Sequence, residues 1–126
     1  MPRLLPQPLL SVRDVQKASR WYQQVLGAKS GHGGDEYEQI LADGVMVLQL
    51  HVLEEAHHHR SLADPRIPLG NGVAVWFAVD DLDAAQARAE KAKARVEKPI
   101  HENPNAGHRE LWLRDADDYL VVLAGR

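Results

Sequence analysis

One junction between a strand and a helix occurs twice in this chain, and it constrains the fold more than any other feature. Residues 12–15 read V-R-D-V and residues 79–82 read V-D-D-L. In each copy an apolar run suited to a buried strand ends at aspartate, and apolar residues then recur at helical spacing. Asp14 in the first copy, and Asp80 or Asp81 in the second, can cap the amide groups of the following helix. The repeat predicts two copies of one folding module.

The first module is predicted over about residues 5–53. Apolar side chains at three- and four-residue spacing define one face of its helix, and Gly27 suits the left-handed residue that ends it. Asp43-Gly44 is a strong hairpin signal. The order is βαβββ, with strands at residues 9–13, just before 30, at 36–41 and at 45–52, and a glycine-rich turn at 30–35.

The second module is predicted over about residues 71–126, after a linker at about 54–70 that lacks sustained periodicity. Its helix begins at Leu82 and runs to about Ala94. The order is again βαβββ, with strands at residues 73–79, 95–100, 109–114 and 119–124, a loop at 101–108 and a turn at 115–118.

Composition places the chain in a broad class. Its 126 residues suffice for one compact domain, and a formal net charge of −3 argues against non-specific binding to nucleic acid. The lack of cysteine removes disulfides and thiolate metal sites. No apolar run approaches the length of a membrane span, and the N-terminus lacks the apolar centre of a secretory signal. We therefore expect a cytoplasmic protein with neither a membrane nor a nucleic-acid partner.

Two tandem βαβββ units resemble the vicinal-oxygen-chelate superfamily, which includes glyoxalase I, bleomycin-resistance proteins, fosfomycin-resistance enzymes and extradiol dioxygenases. The resemblance rests on V-R-D-V-Q-K-A-S-R-W-Y-Q-Q-V-L-G at residues 12–27, V-D-D-L-D-A-A at 79–85 and W-L-R-D-A-D-D-Y-L-V-V-L at 112–123. The family commonly has D-P-D-G where this chain has D-A-D-D. The resemblance implies an α+β fold in which each module is a curved, antiparallel-rich sheet with a helix on its outer face, and the modules form a cup. It also implies a homodimer.

Family members that use a metal hold it with histidine, glutamate or glutamine on the first and last strands of the modules. The resemblance places these positions at Gln7, Gln49, Ala74 and Val122. Alanine and valine have no lone pair for a cation, and two glutamine oxygens make a poor divalent site. We therefore expect neither a metal nor another cofactor there, as in the family's metal-free branch.

The resemblance and the alternation of the strands together predict a concave surface with aromatic walls and a few polar groups, which is typical of small-ligand sites. His108 and Glu110 are the candidate catalytic residues, because a glutamate near a histidine and an apolar wall could have a raised proton affinity and act as a general acid or base. The candidate ligand-binding residues are Gln49, His51, Trp76, His101, Asn105 and Trp112.

Each candidate also has a structural interpretation. His51 could be a surface or packing residue, His108 and Glu110 could lie on a solvated hairpin edge, and Trp76 could belong to the core. The run at residues 57–59, H-H-H, suits a solvated linker that binds ions adventitiously. A displaced metal site formed by His51, His108 and Glu110 is a further alternative, since two imidazoles and a carboxylate make a competent set.

Three functions follow from these patterns. The first is a metal-independent protein that binds a small molecule, with Trp76 and Trp112 stacking on the ligand. The second is a lyase, isomerase or dioxygenase of the same superfamily, which would use the displaced metal site or His108 and Glu110 as acid and base. The third is a dimerisation or regulatory domain with a vestigial cup. Whether the chain is an enzyme stays open at this point.

Overall fold

The computed structural model describes residues 4–53 and 62–126. Residues 54–61 of the predicted linker lie outside these ranges, and they include His57, His58 and His59. Neither helix in the described ranges is long and apolar enough to cross a membrane. The elements are β1 (Leu9–Val12), α1 (Val15–Leu26), β2 (Lys29–Gly33), β3 (Tyr37–Ala42), β4 (Val45–Val52), β5 (Ala74–Ala78), α2 (Leu82–Lys91), β6 (Arg95–Asn103), β7 (His108–Arg114) and β8 (Leu120–Gly125).

The strand-to-helix junction is built in the same way in both modules. Asp14 is extended, with φ of −135°, and its side chain accepts a hydrogen bond from the Lys17 backbone N–H. Asp81, rather than Asp80, plays this part in the second module, where it accepts from the Ala84 backbone N–H. Each aspartate thus satisfies an amide that the first helical turn leaves without a partner.

The two four-stranded sheets share one topology. Their strand orders are β1-β4-β3-β2 and β5-β8-β7-β6, and the first strand of each module runs parallel to the last. All other neighbours are antiparallel. This is the predicted α+β architecture of two βαβββ modules with open, antiparallel-rich sheets.

Two strands extend further than predicted. β2 continues through Gly33, so the turn expected at residues 30–35 begins later. A Cβ on Gly33 would lie 2.2 Å from the Tyr37 carbonyl oxygen, so the glycine permits close approach of β3 rather than a turn. β6 continues through Asn103, so the loop expected at 101–108 is also shorter. Register shifts after Val96 and Lys98 obscure the alternation that would have revealed this extension.

The second helix ends earlier than predicted. α2 stops at Lys91, before the expected end near Ala94. Lys93 has φ of +55°, and its left-handed conformation is incompatible with a continuing α-helix. The first helix ends where expected, at Gly27 with φ of +65°.

Both helices pack on the sheet faces that carry the core. Leu48 and Leu50 of β4 are fully buried, as their alternation with Gln49 predicts. Tyr22 is also fully buried, and Trp21 is partly buried against the core. The two helices contact each other, so the buried side chains of both modules form one cluster.

The turn between β7 and β8, residues 115–118, joins the second module to the first. Asp115 is buried and accepts a hydrogen bond of 2.5 Å from the Tyr22 hydroxyl on α1. The Tyr119 hydroxyl donates to the Ser11 carbonyl on β1. Arg13, just after β1, forms an ion pair with Asp117 at 3.1 Å. These contacts fix the relative position of the sheets within one chain.

Candidate functional site

The second sheet presents a row of large side chains on the face opposite its helix. The register aligns Trp76 on β5, Val122 on β8, Trp112 on β7 and Lys98 on β6. Trp76 is 50% exposed, whereas Val122 is almost fully buried between the two tryptophan positions. The Lys98 ammonium lies 5.2 Å from the centre of the Trp112 ring, within the range of a cation–π contact.

The neighbouring rows of the same face carry the polar candidates. His101 lies opposite Glu110, and Asn103 lies opposite His108. Two ring contacts join these rows to the tryptophans. The His101 and Trp112 ring centres are 5.3 Å apart, and those of Trp76 and His108 are 6.3 Å apart. The structure therefore brings together five predicted site residues, which we call the polar cluster: Trp76, His101, His108, Glu110 and Trp112.

Glu110 is the centre of the polar cluster. Its side chain has no exposed surface, although it lies on the open face of the sheet, because its neighbours cover it. One carboxylate oxygen accepts from His108 Nε2 at 2.8 Å and from Asn103 Nδ2 at 2.7 Å. The other accepts from Trp112 Nε1 at 2.9 Å. Glu110 thereby orients an imidazole, an amide and an indole at once.

The pKa of Glu110 is lower than its ordinary value of 4.5. Burial acts to raise this pKa, but the hydrogen bonds from Asn103, Trp112 and His108, together with the charge of His108, outweigh burial. The sequence suggested that Glu110 could have a raised proton affinity, and this interpretation is wrong. Glu110 is an ionised acceptor of three hydrogen bonds, which suits it to orienting its neighbours rather than to donating a proton.

The hydrogen bonds also define the states of the two histidines. A carboxylate can only accept, so His108 carries hydrogen on Nε2, and in the neutral ring its lone pair is on Nδ1. His101 Nδ1 lies 2.8 Å from the Pro99 carbonyl oxygen and therefore carries hydrogen. His101 Nε2 lies 3.8 Å from Glu110. The side chains of His101 and His108 are 21% and 32% exposed, so both remain accessible from the open face.

A groove of about 1250 Å³ runs along β1 and β5, beside the polar cluster. It does not contain the polar cluster, and Trp76 is the residue that the two share. Gln7 and Ala74, two of the positions where the family resemblance predicts metal ligands, line it. Most of its wall is apolar. Its exposed large apolar side chains are Leu5, Val45, Leu62, Ile67, Val73 and Trp76.

Gln49 and His51 lie on β4, in the other sheet. The Gln49 side chain accepts from the Tyr37 hydroxyl at 2.7 Å and donates to the Gln7 carbonyl at 3.0 Å. His51 is buried, and its Nδ1 lies 2.8 Å from the Val52 carbonyl oxygen. Both side chains therefore form hydrogen bonds within the first module.

Asn105 lies in the turn between β6 and β7, and its backbone N–H donates to the Asn103 side-chain oxygen. Two residues absent from the predicted set, Asn103 and Lys98, contact the polar cluster directly. If the predicted β6 had continued to residue 103, the sequence would have placed Asn103 beside His108, because a four-residue turn then pairs the two residues. Lys98 follows a register shift, so alternation alone could not have placed it beside Trp112.

The residues at the positions where the family resemblance predicts metal ligands do not fit a divalent ion. Ala74 and Val122 carry no donor atom, and the amide oxygen of Gln49 already accepts from Tyr37. Within residues 4–53 and 62–126, no group of three or more histidine, aspartate or glutamate side chains is arranged to hold an ion. The displaced set of His51, His108 and Glu110 is therefore not assembled in this chain.

The chain has two βαβββ modules, whose open sheets pack on a shared core. The groove is apolar, and the polar cluster lies on the second sheet. These features define a two-module cup protein. The sequence profile of the Glyoxalase/Bleomycin resistance protein/Dioxygenase superfamily matches residues 4–123. The chain belongs to this superfamily. A comparison with curated proteins gave no match.

Solved structures share the fold at low sequence identity. A glyoxalase-related enzyme from Fulvimarina pelagi is 16% identical, with a TM-score of 0.77, over 99% of this chain and 89% of that one. TioX from Micromonospora sp. ML1 is 19% identical, with a TM-score of 0.74, over 94% of this chain and 95% of that one. The fosfomycin resistance protein FosX from Mesorhizobium loti is 18% identical, with a TM-score of 0.70, over 100% of this chain and 94% of that one. Such identities show a common fold and leave the ligand open.

Proposed function

We propose that this chain is a small-molecule-binding protein of the superfamily, and that it binds a flat, largely apolar ligand without a metal at the family's usual position. The observation that carries the proposal is the composition of the groove. The resemblance predicts metal ligands at the positions of Gln7 and Ala74, yet the wall around them is apolar and Ala74 has no donor atom. This wall suits the apolar body of a ligand better than an ion.

The distribution of exposed apolar side chains supports this proposal. Six large apolar residues that remain about half exposed line the same groove. Contiguous exposed apolar surface is unusual on a soluble protein and commonly marks a binding site. The homodimer expected from the family resemblance would also cover apolar surface, and it stays a prediction, as does the cytoplasmic location.

Trp76 supports a ligand that extends from the groove to the polar cluster. Its ring lines the groove and also meets the His108 ring. A ligand packed on Trp76 would therefore have its apolar part in the groove and its polar part near His108. The resistance activity of the Mesorhizobium loti protein is not part of the proposal, because its similarity to this chain extends to the fold only.

A second candidate is an enzyme of the same superfamily that uses His108 as a general base. The observation in its favour is the 2.8 Å contact of His108 Nε2 with Glu110, whose ionised carboxylate fixes the orientation of the imidazole. In this version Glu110 positions His108 and does not itself transfer a proton. Turnover of a bound ligand, abolished in His108→Phe, would distinguish the enzyme from a binding protein.

Blocking the groove tests the proposed function. The probe is the uncharged dye N-phenyl-1-naphthylamine, whose fluorescence rises on transfer to an apolar site, added to protein treated with EDTA. Ala74→Arg places a long charged side chain in the groove and is expected to weaken probe binding by about tenfold or more. Ala87→Arg, on the exposed side of α2, is the matched control and should leave binding unchanged. Binding that needs added Mn²⁺ or Zn²⁺, or that survives Ala74→Arg, would contradict the proposal.

A further inference from the structure

The apolar groove follows the free edge of β5. The five consecutive residues of this strand, Ala74 to Ala78, all line the groove, so side chains from both faces of the strand contribute to it. Within residues 4–53 and 62–126, β5 pairs with β8 and with no other strand. The groove is therefore bordered by a strand edge that lacks a neighbouring strand.

The register shows which main-chain groups lie on this free edge. β5 and β8 are parallel, and the Val79 N–H donates to the Ala124 carbonyl at 2.8 Å. In a parallel strand the N–H and C=O groups of one residue point to the same side, and successive residues alternate. Val75 and Phe77 therefore face β8, as Val79 does. The residues whose N–H and C=O groups face the free edge are Ala74, Trp76 and Ala78. In the part of the chain that the structure describes, none of these groups has a hydrogen-bond partner.

Other strand edges in this chain are occupied or protected. At β1, which also borders the groove, the Ser11 carbonyl accepts from the Tyr119 hydroxyl, and the N–H of Arg13 donates to Asp117. β6, at the opposite edge of the second sheet, contains Pro99 and two register shifts, which hinder pairing with a further strand. β5 reads A-V-W-F-A and has no proline, charge or register shift. Its edge is therefore suited to pairing.

The charge of the groove limits what can pair there. Asp64 is the one charged residue among the described residues that line it. Both Asp64 carboxylate oxygens accept hydrogen bonds of 2.9 Å from the Arg66 guanidinium, so this charge is already neutralised. The groove thus offers main-chain donors and acceptors within an apolar wall that has no unpaired charge.

We infer that the groove binds an extended, uncharged peptide segment, which adds as a strand to the free edge of β5 through Ala74, Trp76 and Ala78. This inference rests on the proposed function, since the ligand lies in the same groove, and it adds the requirement for N–H and C=O groups at strand spacing. Main-chain hydrogen bonds provide affinity in such strand addition, and side-chain contacts provide specificity. A groove of about 1250 Å³ suits one added segment, whereas a second copy of this chain would bring a whole sheet and its helix.

Two matched peptides test the inference. The first is a capped five-residue peptide that alternates threonine and valine, and the second carries a methyl group on every main-chain nitrogen. Methylation removes the N–H donors and makes the peptide more apolar, so strand pairing and simple apolar binding predict opposite changes in affinity. Measured by displacement of N-phenyl-1-naphthylamine, the methylated peptide should bind about 5- to 100-fold more weakly, the range of two net hydrogen bonds.

Amide hydrogen exchange locates the pairing without any substitution. The unmethylated peptide should slow exchange of the Ala74, Trp76 and Ala78 N–H groups. It should leave Val75 and Phe77 unchanged, because their N–H groups already donate to β8. This alternation with a period of two is specific to an added strand.

Substitutions at Ala78 remove one edge donor while keeping the sheet. Ala78→Pro deletes an N–H that faces the groove and not β8, which is a position where an edge strand tolerates proline. It should weaken binding of the unmethylated peptide by about 2- to 10-fold, the range of one net hydrogen bond. Ala78→Val, which keeps the N–H and adds a side chain of similar size, should retain binding. Slow exchange at Val75 and Phe77 shows that β5 remains paired with β8 in each variant.

The outcomes separate the inference from the proposed function. Equal or tighter binding of the methylated peptide, or slowing without alternation, would overturn the inference and leave the apolar site intact. The same holds if the dye binds and no peptide displaces it. If neither the dye nor a peptide binds, both the inference and the proposed ligand site fail. Exchange at Ala74, Trp76 and Ala78 that is slow in the free protein, and slower at higher protein concentration, would assign the edge to a second copy and overturn the inference.

Discussion

Replacing Glu110 with alanine is expected to lower the free energy of unfolding by about 2–4 kcal/mol and to weaken binding of aromatic ligands by at least about tenfold. The substitution removes the acceptor that His108, Asn103 and Trp112 share. Hydrogen bonds to a charged group contribute about 1.5–3 kcal/mol each, but water can reach the partly exposed His108 side chain, which reduces the total. Ligand binding weakens because the Trp112 and His108 rings lose the carboxylate that accepts a hydrogen bond from each and holds both in position.

Urea denaturation measures the stability effect, and Glu102→Ala is the matched control. Glu102 is the exposed neighbour of His101 on β6, and its loss should change the unfolding free energy by no more than about 0.5 kcal/mol. Equal effects of the two substitutions would contradict the assignment of Glu110 as the centre of the polar cluster.

The same substitution should change the response to acid. Since the pKa of Glu110 is lower in the folded protein than its ordinary value of 4.5, its carboxylate contributes stability that is fully present above that value. This contribution is lost as the pH falls through the lowered pKa of the folded state. Glu110→Ala should therefore lose less stability than the wild type on acidification below pH 4.5. A steeper loss in the variant would contradict the direction of the shift.

Replacing Asp115 with alanine is expected to lower the free energy of unfolding by about 2–4 kcal/mol. The Asp115 side chain accepts from the Tyr22 hydroxyl and from the backbone N–H groups of Asp117 and Tyr119. Its removal leaves three buried donors without acceptors and detaches the 115–118 turn from α1. Asp35→Ala, at an exposed position before β3, is the control with an expected effect below about 0.5 kcal/mol.

The pH dependence of Asp115 has the opposite sign to that of Glu110. Burial raises the pKa of Asp115, even though hydrogen bonds from Tyr22, Tyr119 and Asp117 act to lower it. Its contribution is therefore fully present below the ordinary pKa of 3.8 and declines as the pH rises through the raised pKa of the folded state. Comparing the unfolding free energies of Asp115→Ala and the wild type between about pH 3 and pH 6 isolates the pH-dependent contribution of Asp115. A stability gap that widens with rising pH in that interval would contradict it.

The sequence predicted the architecture because the local signals agree with the global fold. The two aspartate caps, the glycine stop after α1 and the alternation in β4 are all local features, and each appears where the sequence places it. The two strand ends that were misplaced depend on tertiary geometry. Gly33 serves a close approach between strands, and the shifts in β6 arise from pairing with β7.

The candidate site was predictable where it depends on alternation and less so where it depends on register. Residues 108, 110 and 112 alternate on one regular strand, so their common face could be read from the sequence. The contributions of Lys98 and Asn103 depend on how β6 aligns with β7. The ionisation of Glu110 was misjudged because burial and hydrogen bonding shift a pKa in opposite directions, and the number of donors is visible only in three dimensions.

Metal content tests the central claim, metal-independent binding, most directly. The protein is purified without an affinity tag, with His57, His58 and His59 replaced by alanine so that this run cannot bind ions, and is analysed by mass spectrometry for Mn, Fe, Co, Ni, Cu and Zn. Because two of the positions that the resemblance predicts for metal ligands carry alanine and valine, we predict less than about 0.1 ion per chain, with ligand binding unchanged by EDTA. About one tightly held ion per chain, whose removal abolishes binding, would contradict the account.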